Sequence, residues 1–207
     1  MPTIEVLLFD LGGVLVDWDG TTPLCTLSAG RLDRDAARRF WLESPWVGRH
    51  DLGACSVEAF AEGAIAELQL QISRDEFVAQ YSNWVKGAYP GAHQLLEGLA
   101  GRYRLATLTN NNATHYQRIE RDLDLARHFS AVFASHQIGM KKPDPEVYLH
   151  VTQALGVAPE RIAFFDDNTE CLEPARALGW QCFHTVGLSQ LVAAIAGIEA
   201  QDAATNR

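Results

Sequence analysis

Leu7-Leu8-Phe9-Asp10-Leu11-Gly12-Gly13-Val14-Leu15 carries the clearest pattern in the chain. It ends an apolar run that begins at Ile4, sets a carboxylate directly after it, and then supplies two glycines. A strand covered on both faces needs such an unbroken run, and the residues after it mark the turn at its carboxyl end. Similar runs stand at Tyr103 to Leu108, Ala131 to Ala134, Ile162 to Phe165 and Cys182 to Phe183, with helical patterns between most of them. The alternation predicts an α/β fold, a Rossmann-like parallel sheet with helices on both faces.

The interval between the first two strands is far too long for one crossover and reads as several helices. Ser73 with Glu76 forms a capping box ahead of Phe77, Tyr81, Trp84 and Val85, and Ser56 precedes Val57, Phe60, Ala64, Ile65 and Leu68. Asp33 opens a helix bearing Ala36, Ala37, Phe40 and Trp41, and a fourth falls near Pro23 to Ala29. A small α-helical cap domain is therefore expected at residues 17–89, inserted in a core made of residues 1–16 and 90–198. Residues 199–207 are small and polar and are expected to fray.

Composition narrows the function classes. The chain has 207 residues, 47% hydrophobic and 21% charged, which is ordinary for a packed globular protein. Seventeen Lys and Arg against 26 Asp and Glu give a net charge of −9, which disfavours nucleic acid and anionic membrane surfaces as partners. Cys25, Cys55, Cys171 and Cys182 lie far apart with no metal-binding spacing and read as reduced thiols. With no signal-like start and no membrane-length apolar stretch, a cytoplasmic monomer or homodimer is expected.

In a parallel sheet the strand carboxyl ends share one edge, so the polar residues there converge. Asp10 ends the first strand, Thr109 and Asn110 the second, Asp166 and Asp167 the fourth, and Lys142 follows the third. Three carboxylates at one edge repel unless a divalent cation neutralises them, and hard oxygen ligands suit Mg2+. Lys142, the Thr109 hydroxyl and backbone N–H groups at helix starts then suit a phosphoryl group.

These residues resemble the haloacid dehalogenase superfamily, in the segments already quoted and in Leu108-Thr109-Asn110, Gly139-Met140-Lys141-Lys142-Pro143-Asp144-Pro145 and Phe164-Phe165-Asp166-Asp167-Asn168. The opening Phe-Asp-Leu-Gly, the later Phe-Phe-Asp-Asp-Asn and the cap position look like small bacterial phosphatases acting on sugar phosphates, glucose-1-phosphate among them. The resemblance implies that Asp10 is a nucleophile that becomes an aspartyl-phosphate. It also implies that Asp10, the Gly12 carbonyl and Asp167 hold magnesium, with Asp166 bound directly or through water. Thr109, Asn110 and Lys142 would hold the phosphoryl oxygens of a small phosphorylated metabolite, with Lys142 selected over Lys141 by its place before Pro143.

Two positions depart from that pattern. Gly12 stands where most phosphatases of the superfamily have a second Asp that protonates the leaving group, a role typically worth about 10² to 10⁴-fold. A leaving group that needs little protonation, such as an anomeric phosphate, a metal-ordered water, or a cap residue such as His50 would each compensate. Cys171 stands where an Asp or Asn usually supports the metal. Trp46 to Gly53 is read as a loop of the cap, and the resemblance implies that such a loop faces the site, with Arg49 and His50 as substrate contacts and Trp46 stacked on a sugar face. Two rival functions remain: a non-catalytic phosphometabolite sensor or scaffold, prompted by Gly12, and a 2-haloacid dehalogenase, which Gly12-Gly13-Val14 and the Asp166-Asp167 pair disfavour.

Overall fold

The computed structural model describes residues 3–205. Strand β1 (Val6–Phe9) is buried at all of its positions. The chain leaves it through a tight loop into β2 (Val16–Trp18). It then runs through helices α1 (Thr21–Leu27), α2 (Arg34–Glu43), α3 (Pro45–Asp51), α4 (Val57–Leu68) and α5 (Arg74–Tyr81), and returns through β3 (Val85–Ala88). The remainder is α6 (Ala92–Leu99), β4 (Arg104–Thr109), α7 (Ala113–Arg121), β5 (Ala131–Ala134), α8 (Ser135–Ile138) and α9 (Pro145–Leu155), followed by β6 (Ile162–Asp166), α10 (Thr169–Ala177), β7 (Gln181–His184) and α11 (Gly187–Thr205).

Strands β5-β4-β1-β6-β7 form one sheet in that order, every neighbouring pair parallel. The two-residue side-chain period of β1 splits it between two cores. Leu7 and Phe9 pack with Leu96, Tyr116, Ile119, Leu191 and Ile195 of α6, α7 and α11. Val6 and Leu8 pack with Val147, Tyr148, Val151, Leu172 and Ala175 of α9 and α10. Each buried large apolar side chain contributes about 1.5–3 kcal/mol, so the central strand is held from both sides. Because the strands are parallel, the residues after β1, β4, β5 and β6 all emerge at one edge.

Helices α1 to α5 and the turn after α5 bury a third cluster, centred on Phe40, Phe60, Phe77, Tyr81 and Trp84. Asp33 and Ser56 cap α2 and α4 through their side chains, and the Ser73–Glu76 capping box at α5 is present in both directions.

Three features differ from the sequence reading. Trp46 to Gly53 is not a loop: α3 occupies most of it, started by the Ser44 cap and by Pro45 in the first turn. The ribbon of β2 and β3 joining core to insertion was not anticipated, because strands this short carry too few residues for a period to register. The expected tail from Glu199 is helical as far as Thr205, the end of α11. Glu199 pairs with Arg102 at 2.5 Å; the end of the expected tail, residues 206–207, lies outside the described residues.

Candidate active site at the strand ends

Asp10 follows β1, and its backbone N–H donates to the Phe165 carbonyl of the neighbouring strand at 2.8 Å. Gly13, in left-handed backbone, brings the loop so close to Asp167 that a Cβ there would fall 2.2 Å from Asp167 Oδ2. Only glycine serves at that position. Asp10, Asp166 and Asp167 each place a carboxylate oxygen so that the three lie within 4.8 Å of one another. This donor set, hard and oxygen-only, fits a divalent cation of the magnesium type.

Lys142 is buried and donates from Nζ to Asp10 Oδ1 at 2.8 Å and to Asp166 Oδ2 at 2.6 Å. Burial alone lowers a lysine pKa, but the Asp10 and Asp166 carboxylates outweigh it and hold this ammonium well above the ordinary lysine range. Burial pushes Asp10 up to about 7, aided by Asp166 and Asp167 and opposed by Lys142. Asp167 is raised for the same reasons, burial first and then Asp166. A proton or a cation is thus needed to relieve this cluster.

The Asn110 side chain ties the end of β4 to the loop that carries Lys142. Its amide is fastened to the backbone of Lys142, donating from Nδ2 to the carbonyl at 2.8 Å and accepting the N–H at 2.9 Å. It lines the cavity, but its side chain orients the lysine. Thr109 is buried at the end of β4 beside Ala134. Burial raises the Cys171 thiol to about 12, so it packs as an inert side chain.

A cavity of about 260 Å³ opens over Asp10, Gly12 and Asp167. Its other walls come from Asn111, Asn112 and His115, from Trp18 and Trp41, and from Val47 and Asp51 of α3. None of the three substrate contacts expected from the insertion lines it. His50 is buried with its ring stacked on Phe60, centroids 4.6 Å apart; Arg49 is exposed and lies over the Trp46 ring at 5.0 Å; Trp46 packs against Gly63 of α4. The reason is helical geometry. Val47 and Asp51 are four residues apart and share the stripe facing the cavity, while positions 46, 49 and 50 point elsewhere. Read as a helix, this segment would have singled out Asp51.

Polar bonds fix the seam between insertion and core. Ser135 Oγ accepts the Asn111 N–H at 2.9 Å and donates to the Asp51 carbonyl at 2.6 Å. Asn112 Nδ2 donates to Tyr81 Oη at 2.8 Å. His115 Nε2 lies 2.8 Å from the Tyr81 carbonyl, which only accepts, so the ring carries its hydrogen on Nε2. Burial lowers His115 to about 4, keeping it neutral.

The sheet order, the acidic cluster with its bridging lysine and the helical insertion define a class, and the sequence comparisons agree. The haloacid dehalogenase-like hydrolase family matches residues 4–179, and the chain belongs to that family. It is 30% identical to Phosphatase MT3486 of Mycobacterium tuberculosis, over 87% of each chain. It is 27% identical to a phosphorylated carbohydrates phosphatase of Thermotoga maritima, over 85% of this chain and 82% of that one. Among solved structures, a haloacid dehalogenase family enzyme of Bacteroides thetaiotaomicron, in complex with magnesium and inorganic phosphate, superposes with a TM-score of 0.71 at 23% identity. That match covers 87% of this chain and 93% of the other. L-2-haloacid dehalogenase of Xanthobacter autotrophicus shares the fold at a TM-score of 0.63 and 23% identity, over 87% and 76%.

Proposed function

We propose that this protein is a magnesium-dependent phosphatase that hydrolyses a small phosphorylated metabolite, with Asp10 as nucleophile. The carrying observation is the cluster of Asp10, Asp166 and Asp167 within 4.8 Å, bridged by a buried Lys142. Asp10, the Gly12 carbonyl and Asp167 would hold the magnesium ion, with Asp166 direct or through water. When bound, the ion supplies positive charge against the carboxylates and the phosphoryl oxygens.

Asp10 attacks phosphorus with a carboxylate oxygen, and the bond to the leaving oxygen breaks. Water then attacks the aspartyl-phosphate and returns the Asp10 carboxylate. Lys142 aims Asp10 and carries the charge that attracts the phosphoryl group, while Asn110 holds Lys142 in place and Thr109 contributes its hydroxyl. A cavity of about 260 Å³ suits a phosphoryl group on a compact carbon skeleton, and the Trp18 and Trp41 indoles supply the apolar wall that a sugar face stacks on. A sugar phosphate is the favoured class, a sugar 1-phosphate within it, and the relative that acts on phosphorylated carbohydrates supports this.

No helix among the described residues is long and apolar enough to cross a membrane, and all four cysteines are free thiols. The free thiols suit a cytoplasmic enzyme, which we take to be monomeric or homodimeric. One observation favours a second reading, that of a non-catalytic phosphometabolite sensor: Gly12 lacks the expected acid. Phosphate release from a panel of phosphomonoesters, with magnesium or with chelator, separates the two. Magnesium-dependent release is expected, strongest on sugar phosphates. Binding of phosphorylated compounds without release, by protein that takes up magnesium, would overturn the phosphatase reading.

A further inference from the structure

Asp51 ends α3 at the seam and lines the cavity that also contains Asp10 and Gly12. Its backbone is anchored to the core through Ser135, yet among the described residues its carboxylate makes no hydrogen bond or ion pair. A carboxylate on the wall of the cavity that also contains Asp10 is placed to exchange protons with whatever binds there. Gly12 lines the same cavity, and the space beside its Cα is empty, with no atom within 4 Å of where a Cβ would stand. The cavity thus lacks the acid expected at position 12 and carries one at position 51.

We propose that Asp51 is the general acid and base of this enzyme, performing from the helical insertion the proton transfers that Gly12 has no side chain to perform. The proposal rests on the phosphatase reading. As Asp10 attacks phosphorus, the electron pair of the breaking P–O bond goes to the leaving oxygen, which takes the Asp51 proton and departs as an alcohol. Asp51, now a carboxylate, takes a proton from water as that water's oxygen attacks the phosphorus of the aspartyl-phosphate. The bond to Asp10 breaks, inorganic phosphate leaves, and both carboxyl groups are back in their starting forms.

The surroundings of Asp51 suit this role. Burial pushes it up to about 7, against a lowering influence from Lys141, so both protonation forms are populated near neutral pH. The titratable and charged groups that act on it or feel it are Lys141 from the core loop, Tyr81 of α5 and Cys55 before α4, and Asp10, Asp167 and His115 line the same cavity. Burial keeps His115 neutral and Tyr81 well above its usual range, so neither competes as a donor of the proton at neutral pH. His50, the adjacent candidate, is stacked inside the insertion.

The test compares Asp51→Asn with the unmodified protein on two substrates, the best alkyl phosphomonoester and p-nitrophenyl phosphate, whose leaving group departs without a proton. For the alkyl substrate kcat/KM should fall by about 10² to 10⁴-fold, and for the aryl substrate by less than about tenfold. The loss of alkyl kcat/KM as pH rises above about 7, set in the unmodified protein by deprotonation of the acid, should vanish in the variant. Adding Gly12→Asp to Asp51→Asn should restore alkyl turnover, because the space for that side chain exists. Equal losses on both substrates, or a rise in KM alone, would overturn the proposal and leave Asp51 as a substrate contact or structural residue. If the unmodified, magnesium-loaded protein releases phosphate from neither substrate, the phosphatase reading itself fails and the proposal with it.

Discussion

Lys142 shows what the site needs at the scale of one residue. Its ammonium lies between Asp10 and Asp166, two buried carboxylates that would repel each other without it. One lysine does not balance three carboxylates, and Asp10 remains raised to about 7. A carboxylate whose folded pKa is raised destabilises the fold as pH climbs from its unfolded value near 4 toward 7, and a bound cation removes that penalty. Magnesium must displace a proton from Asp10 below that pH. Its dissociation constant should therefore rise by up to about tenfold per unit as pH falls below about 7, with proton release on binding. Calorimetry in buffers of different ionisation enthalpy measures both, and a constant affinity with no proton release would contradict this picture. Asp10, Asp166 and Asp167 were legible in the sequence because strand ends of a parallel sheet fix which residues meet, and Lys142 was picked out by the family resemblance through its place before Pro143. The duty of the Asn110 side chain was not, since nothing local announces a bond to a backbone 32 positions away.

At the scale of the element, α3 is where sequence reading and structure part. A short helix of seven residues containing Pro45, Gly48 and a capping serine looks like a connection, and tertiary packing stabilises it against that local tendency. Trp46 does this by lying against Gly63 of α4, where an added Cβ would sit 2.1 Å from the indole. Gly63→Ala should lower stability by about 1–3 kcal/mol through overpacking, outweighing the usual gain of alanine in a helix. Gly98 of α6 is the control, exposed and with no atom within 4 Å, so Gly98→Ala should add about 0.5–1 kcal/mol. Thermal denaturation of the two variants decides the matter: opposite signs are expected, and a gain from both would show that α3 is not clamped as described. The sequence disclosed the other insertion helices because Asp33, Ser56 and Ser73 are cap residues followed by apolar periods.

Across the whole molecule, a parallel sheet brings the carboxylates and lysine together, and a helical insertion with a core of its own covers them. The two are joined by the β2–β3 ribbon and by the bonds of Ser135, Asn112 and His115 across the seam. The sheet was legible because buried parallel strands are uninterrupted apolar runs. The seam was not, because its partners are far apart in sequence and use ordinary Ser, Asn and His side chains. The chain's net charge of −9 makes a local cation necessary for any anionic substrate, and Lys142 stands beside Asp10.

The most direct test of Asp10 as nucleophile is phosphate release by Asp10→Asn beside the unmodified protein, both magnesium-saturated and both checked for an unchanged fold by circular dichroism. The variant should release no phosphate above background from any substrate that the unmodified protein hydrolyses. Release by the variant at a rate near that of the unmodified protein would contradict the mechanism at its first step.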